Sequence, residues 1–234
     1  MAQGLLDRML ALLGLDLDFS VSLGRDPFNA VADDVYLGGR PAPDLVPQLR
    51  EAGVTHVVSC LPDDARKRVS FLADSFHTLF IPARDGMYED ISASFPAFFD
   101  FVRDAPAQNE GPRILVHCEA GVSRSATLAI ALQMHRTGQG FYEAYRSVRA
   151  KRSEVLPNIG FATQLQQLEF SMRPRDTEGR EPSSLARYLR EVCVVPVDVA
   201  TIQDALDTHD HDAVRSIKAI FGDEIPRVVQ GVRI

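Results

Sequence analysis

The stretch "RILVHCEAGVSRSATLAIALQMH" runs from Arg113 to His135 and decides the fold of this chain. A short apolar strand ends at His117 and Cys118, a glycine-containing loop follows, and a helix is predicted from about Arg124. A strand that enters a helix through a tight loop directs backbone N–H groups at one point, and the helix dipole adds partial positive charge there. The stretch therefore predicts an anion-binding loop suited to a phosphate.

The side chains of this loop indicate what happens to the phosphate. Gly121 permits the sharp turn, and the planar guanidinium of Arg124 can hold two phosphate oxygens. Cys118 lies at the base of the loop, where the same donors favour its thiolate, which is a nucleophile facing the phosphorus. The alternative is a buried structural cysteine beside a paired arginine, which explains an isolated Cys-x5-Arg but not the whole string. The residues expected to surround the phosphate are Glu119, Ala120, Gly121, Val122, Ser123 and Arg124.

Strands and helices alternate around this stretch. Predicted strands include "VYLGG", "VTHVVSC" and "FHTLFIP", and amphipathic helical segments lie between them. This rhythm predicts an α/β fold with a central, mostly parallel sheet flanked by helices.

Composition excludes several classes of function. The 234 residues carry a formal net charge of −7, which argues against binding of nucleic acid or of an anionic membrane surface. Three separated cysteines form neither a disulfide framework nor a zinc pattern, so we expect a reducing, cytoplasmic setting. No apolar run approaches the ~20 residues of a membrane span. We interpret "DTHDHD" (207–212) as a helix cap and surface rather than a metal site, and we expect no metal or cofactor.

The segment "HCEAGVSRSAT" resembles the His-Cys-x5-Arg-Ser/Thr signature of the cysteine-dependent protein tyrosine phosphatases, and its Ala-Gly-Val-Ser-Arg-Ser form resembles their dual-specificity branch. "VYLGGRPAP", "GVTHVVSC" and "VLPNIGFATQLQQLE" are similar to further segments of that branch. The resemblance implies a metal-independent phosphatase that hydrolyses phosphotyrosine, and phosphoserine or phosphothreonine, in proteins through a phosphocysteine intermediate.

The leaving oxygen needs a proton, so a carboxylic acid is expected on a separate loop. Asp85 in "IPARDGMYED" directly follows a strand and is also selected by the resemblance. Asp90 is the competitor, but it precedes "ISAS" and is more typical of a helix cap.

The resemblance assigns roles to four further residues. His117 is similar to the histidine that orients the loop and favours the thiolate, and Ser125 to the hydroxyl that helps the thiolate leave. Asn158 resembles a residue that supports the loop, although it could equally cap the following helix. Cys60 ends a strand expected to run parallel to the Cys118 strand. It is either a redox partner for Cys118, as in some relatives, or a small core residue.

The negative charge of Glu119 indicates which class of substrate the loop accepts. As the loop's charged side chain besides Arg124, it would repel a second phosphate, which favours phosphorylated protein over polyphosphorylated lipid. The alternatives are a phosphoinositide or other small phosphomonoester phosphatase on the same scaffold, a binding module without turnover, and a sulfur carrier. The sequence does not determine the oligomeric state.

The chain divides into four predicted parts. Residues 1–25 form an amphipathic helix and lead-in, 26–173 the catalytic domain, 174–184 a linker, and 185–234 a small α/β extension of unknown role. The extension is predicted to contain strands at "VCVVPVDV" (192–199) and "RVVQGVRI" (227–234). We expect the segment from about Glu181 onward to be dispensable for the chemical step, because every candidate catalytic residue precedes it.

Overall fold

The computed structural model describes residues 26–105, 113–173, 182–193 and 195–222. The strands are β1 (Phe28–Ala32), β2 (Val35–Gly38), β3 (Val54–Leu61), β4 (His77–Pro82) and β5 (Arg113–His117). The α-helices are α1 (Val46–Glu51), α2 (Phe95–Asp104), α3 (Arg124–Thr137), α4 (Phe141–Lys151), α5 (Ile159–Met172), α6 (Ser184–Glu191), α7 (Val199–Thr208) and α8 (Ala213–Phe221). The 3-10 helices are Pro43–Leu45, Asp63–Asp74 and Ser92–Ser94. The predicted helix in 1–25 and the strand at 227–234 lie outside the described residues.

The five strands form one sheet in the order β1-β2-β5-β3-β4. Only β1 pairs antiparallel, with β2, and the other three pairings are parallel. Helices cover both faces, so the predicted α/β fold with a mostly parallel sheet is confirmed. The ends of β3 and β5 meet at one edge, which is where ligands bind in open parallel sheets.

Two apolar clusters cover the sheet. The larger one packs α2 to α8 against the face that carries Val58, Cys60 and Val116. The smaller one packs α1 and the Asp63–Asp74 helix against the opposite face. Because side chains alternate along a strand, β3 has residues in both clusters, which explains its continuous run of apolar side chains.

The described part of the C-terminal segment is helical and packs on the main domain. Leu185, Tyr188 and Leu189 of α6 belong to the same apolar cluster as the helices that cover the sheet. The strand predicted at 192–199 is wrong: the described residues there link α6 to α7, and the Cys193 and Val195 N–H groups donate to carbonyls of α6. Pro196 has no N–H to offer a sheet. Among the described residues, no helix has the length and apolar character needed to cross a membrane.

Candidate active site

The loop between β5 and α3 surrounds the sulfur of Cys118. The Cys118 side chain is buried, and its Sγ accepts hydrogen bonds from the Gly121 N–H at 3.2 Å and the Ser125 hydroxyl at 3.1 Å. The sulfur also lies one loop away from the N-terminus of a 14-residue helix. The loop therefore places two hydrogen-bond donors and the N-terminus of a helix around this sulfur.

Gly121 is required by both conformation and space. Its φ is +71°, a region that side chains rarely adopt, and a Cβ there would lie 2.4 Å from the Gly38 carbonyl carbon. The loop therefore rests directly on the end of β2.

His117 is buried beneath the loop. Its Nδ1 lies 3.2 Å from the Cys118 carbonyl oxygen, and its Nε2 lies 2.7 Å from the Ser59 hydroxyl on β3. Burial lowers the pKa of His117 to about 4, so the ring is neutral at physiological pH. A carbonyl only accepts, so Nδ1 carries the hydrogen and Nε2 accepts from Ser59. The ring thus holds the backbone of the loop.

Asp85 lies with the loop and Asp90 does not. Asp85 Oδ1 accepts from the Ser123 hydroxyl at 2.8 Å and from Asn158 Nδ2 at 3.0 Å, and its Oδ2 lies 3.5 Å from Arg124 Nε. Asp90 is exposed and instead accepts from the Ser92 hydroxyl and the Ala93 N–H, which lowers its pKa, the Ser92 bond most. Of these two carboxylates, the contacts described bring Asp85 to Arg124 and to Ser123 of the Cys118 loop.

Arg124 is buried at the start of α3. Its side chain is 2 % exposed and lies close to the Ala83 carbonyl and Asp85, at the base of the loop of residues 83–91. The guanidinium is thus placed between the cysteine loop and the loop that carries Asp85.

Asn158 has both of the roles expected from sequence. Its side-chain oxygen accepts from the Phe161 N–H as the N-cap of α5. Its backbone N–H donates to the Ser123 hydroxyl at 3.2 Å, and its Nδ2 donates to Asp85. A residue that caps one helix therefore also fixes two site residues.

Cys60 lies beside Cys118. The parallel register pairs Ser59 with His117. Cys60 follows Ser59 within β3, which ends at Leu61 and not at Cys60, and Cys118 directly follows β5. Both cysteines belong to the larger apolar cluster. Burial raises the pKa of Cys60 well above its usual range, and the neighbouring Cys118 adds to this effect.

Similarity to known proteins identifies the family of this chain. The family described as "Dual specificity phosphatase, catalytic domain" matches residues 35–171, more than half of the chain. The chain belongs to this family.

Similar members differ in length. Human dual specificity protein phosphatase 22 is 36 % identical over 174 residues, which cover 72 % of this chain and 91 % of that protein. The match to Arabidopsis thaliana protein-tyrosine-phosphatase MKP1 is 35 % identical, and it covers 60 % of this chain and only 17 % of that protein. For human dual specificity protein phosphatase 9 the figures are 31 % identity, 66 % of this chain and 39 % of that protein.

Solved structures are similar over the same part of the chain. The human tyrosine phosphatase-like serine/threonine/tyrosine-interacting protein has a TM-score of 0.58 and 28 % identity, covering 62 % of this chain and 97 % of that chain. A mouse putative dual specificity phosphatase complexed with zinc tungstate has a TM-score of 0.55 and 28 % identity, covering 66 % and 100 %.

In this dual-specificity phosphatase domain, the structure places two arginines, Arg40 and Arg68, beside the cysteine loop, and neither was among the candidate site residues. Glu119 Oε1 accepts from Arg40 Nε at 3.0 Å and from Arg68 at 2.6 Å, so the three side chains together carry one net positive charge. The expectation that Glu119 repels a second phosphate is therefore incomplete. The signal for Arg40 was its position just after β2, a parallel neighbour of β5. The signal for Arg68 was the group of basic residues in "ARKRVS" (65–70).

A third missed residue, Arg152, supports the loop from behind. Its buried side chain donates to the carbonyls of Gly121 and Ala120, and also to Asn29 Oδ1 at 2.7 Å. These bonds fix the carbonyl groups of two peptide units of the loop, the one between Ala120 and Gly121 and the one between Gly121 and Val122. Nothing in "RAKRSE" distinguishes this arginine from a surface residue at a helix end.

Proposed function

We propose that the protein hydrolyses phosphotyrosine, phosphoserine and phosphothreonine in proteins through a phosphocysteine at Cys118. The observation that carries this proposal is the hydrogen bonding of the Cys118 sulfur by Gly121 and Ser125, within one loop of Arg124 and Asp85. Family membership supports phosphatase chemistry at this loop.

In the first step the Cys118 thiolate attacks phosphorus, and the bond from phosphorus to the substrate oxygen breaks. The loop N–H groups and Arg124 hold the equatorial phosphate oxygens as charge spreads over them. Asp85, protonated, gives its proton to the leaving phenoxide or alkoxide. The products of this step are the dephosphorylated residue and phosphocysteine.

In the second step Asp85, now ionised, takes a proton from a water that attacks the phosphorus. The sulfur–phosphorus bond breaks, and the Cys118 thiolate leaves with help from the Ser125 hydroxyl at 3.1 Å. Inorganic phosphate is released and Asp85 is protonated again, so the two steps balance without a metal. Neutral His117 takes no part as a base, because its Nε2 is already bonded to Ser59.

A phosphoinositide or other small phosphomonoester is the second candidate substrate. Arg40 and Arg68 beside Glu119 favour it, since they could meet a second phosphate near the first. The overall charge of −7 favours a protein substrate over an anionic membrane surface. The cysteine usage supports a cytoplasmic setting.

A substrate panel tests the proposal. Phosphotyrosine, phosphoserine and phosphothreonine peptides, phosphoinositides and a generic aryl phosphate are assayed with the parent and with Cys118→Ser. We expect turnover of peptides and of the aryl phosphate by the parent alone. Turnover of phosphoinositides but not of peptides would favour the lipid function, and binding of phosphopeptides with no turnover of any substrate would make the protein a binding module.

We also propose that Cys60 protects Cys118 from irreversible oxidation. Adjacent parallel strands lie about 4.8 Å apart, within the ~4.4–6.8 Å Cα range of disulfides. Peroxide oxidises the Cys118 thiolate to sulfenic acid, and the Cys60 sulfur then displaces water to form a disulfide. After mild peroxide and non-reducing digestion we expect a Cys60–Cys118 peptide, and Cys60→Ser should recover less activity on reduction than the parent. Equal recovery with no such peptide makes Cys60 a core residue only.

A further inference from the structure

We propose that Tyr188 of the C-terminal segment is a positioning residue for the general acid Asp85. This proposal rests on the proposed function of Asp85. Tyr188 lies in α6, beyond the residues 35–171 that match the family. Its hydroxyl donates to the Pro157 carbonyl at 2.6 Å, and the bond is buried.

The carbonyl that Tyr188 holds belongs to the peptide group between Pro157 and Asn158. The N–H of that same peptide group donates to the Ser123 hydroxyl at 3.2 Å, and Ser123 donates to Asp85 Oδ1 at 2.8 Å. A peptide group is planar, so fixing its carbonyl fixes the direction of its N–H. The orientation of the Ser123 donor to Asp85 therefore depends on the Tyr188 hydroxyl.

The side chain of Asn158 provides a second connection from this peptide group. Its Nδ2 donates to the same Asp85 Oδ1 at 3.0 Å, while its oxygen caps α5. Successive hydrogen bonds in a buried chain polarise one another, so the bond at Tyr188 also strengthens the later ones. Both donors to Asp85 Oδ1 are thus set by one peptide group.

The structure holds Tyr188 tightly enough for this role. The ring is fully buried, with its centroid 5.2 Å from that of Phe141 and 5.0 Å from that of Tyr145 on α4. The N-terminus of α6 is fixed to α5, since the Leu185 N–H donates to Gln166 Oε1 at 2.7 Å. Burial also raises the pKa of Tyr188 well above its usual range, so the phenol keeps its proton and donates it.

On this proposal, the segment after about Glu181 is not dispensable for the chemical step, contrary to the expectation from sequence. Tyr188→Phe keeps the ring and its packing but leaves the buried Pro157 carbonyl without this donor, and the peptide group can then turn. Asp85 remains present but is held less well. A misplaced acid slows the departure of poor leaving groups most.

The test compares Tyr188→Phe with the parent on two substrates: phenyl phosphate, with a poor leaving group, and p-nitrophenyl phosphate, with a good one. We expect kcat/KM to fall about three- to tenfold on phenyl phosphate and less than about twofold on p-nitrophenyl phosphate. Partial unfolding lowers both rates equally, so the ratio of the two reports only on folded enzyme. Thermal unfolding is recorded alongside.

Tyr142→Phe is the matched control. Tyr142 lies on α4, and its hydroxyl bonds Glu191 at the end of α6, so this variant removes a hydroxyl from the same interface without touching the Pro157 carbonyl. We expect its ratio of rates to equal that of the parent. In a double-mutant cycle, Tyr188→Phe should lower kcat/KM on phenyl phosphate less in the Ser123→Ala background than in the parent. The reason is that Ser123→Ala has already removed one of the two connections to Asp85.

The outcomes separate the two proposals. A parent that turns over neither aryl phosphate overturns the proposed function, and the role of Tyr188 falls with it. A parent that turns over both, with an unchanged ratio in Tyr188→Phe or with additive effects of Tyr188→Phe and Ser123→Ala, overturns the role of Tyr188 alone.

Discussion

Two buried cysteines lie side by side at the edge of the sheet, Cys60 within β3 and Cys118 directly after β5, yet their surroundings differ. Cys118 follows β5, and the loop that comes next supplies hydrogen bonds to its sulfur from Gly121 and Ser125. Cys60, on β3, is followed by Leu61, Pro62 and a 3-10 helix, and burial raises the pKa of its thiol well above the usual range. The two cysteines therefore share a position near the edge of the sheet and differ in the chain that follows each strand. In the proposed function, Cys118 is the nucleophile and Cys60 takes no part in the two chemical steps.

The largest expected effect comes from exchanging sulfur for oxygen at each position. Cys118→Ser should lower turnover of an aryl phosphate by about 10⁴-fold or more, because the nucleophile is lost, while the loop and Arg124 still bind inorganic phosphate. Cys60→Ser should keep turnover within about twofold of the parent, since its sulfur does no chemistry in the cycle. Steady-state kinetics and calorimetric binding of phosphate give both results; equal losses in the two variants would contradict the distinction.

The next effect concerns the acid that serves Cys118. Asp85→Asn should lower turnover of substrates with poor leaving groups by about 10²-fold or more, and less for activated aryl phosphates. Asp90→Asn is the matched control on the same loop, and we expect turnover near that of the parent because Asp90 bonds only the turn at Ser92 and Ala93 among the contacts described for it. Kinetics on both substrate types check this, and the reverse result would reassign the acid.

A smaller effect is the pH dependence of stability that comes from His117, which bonds Ser59 on the neighbouring strand. Burial lowers the pKa of His117 from 6.5 to about 4, so the unfolded chain binds this proton more readily than the folded one. Stability from this group is complete above about pH 6.5 and is lost as the pH falls toward 4. Between about pH 7 and pH 5 we expect a loss of about 2 kcal/mol in the free energy of unfolding.

Denaturant unfolding at the two pH values measures this loss. His117→Asn should remove it, while His135→Asn, at an exposed histidine of α3, should leave it in place. The same pH dependence in parent and His117→Asn would show that another group is responsible.

The last comparison is between two glycines at positive φ. Gly121→Ala should destabilise the fold by more than Gly138→Ala, because a Cβ at Gly121 would lie 2.4 Å from the Gly38 carbonyl carbon, whereas a Cβ at Gly138 meets no atom within 4 Å among the described residues. At Gly138 the substitution should lower the free energy of unfolding by about 1–2 kcal/mol, because alanine is strained at this positive φ. Thermal unfolding checks both, and equal losses would mean that the loop can move away from β2.

The sheet and the corner at Cys118 could be predicted because local sequence determines them. Each signal lies within a few residues of the feature that it predicts: the β-branched run of β3, the spacing from Cys118 to Arg124, and Gly121 at the turn. Asp85 could be placed because strand ends of a parallel sheet share an edge.

The remaining features depend on contacts between distant residues. Arg40 and Arg68 meet Glu119 across 79 and 51 positions, and Arg152 reaches Asn29 across 123. The run at 192–199 is apolar because it packs against helices, so composition alone predicted a strand wrongly. Nothing in "LARYLRE" (185–191) distinguishes Tyr188, because only the fold brings its hydroxyl to Pro157.

The most direct test of the central claim is to trap the covalent intermediate. Asp85→Asn is mixed with an activated aryl phosphate, which needs little acid in the first step, and hydrolysis of phosphocysteine is slow because no carboxylate activates the water. After a denaturing quench and digestion, mass spectrometry should find one phosphoryl group on the peptide that contains Cys118, and none in the Asp85→Asn/Cys118→Ser variant. A phosphoryl group on Cys60 or on a histidine, or turnover without any phosphorylated peptide, would contradict the account.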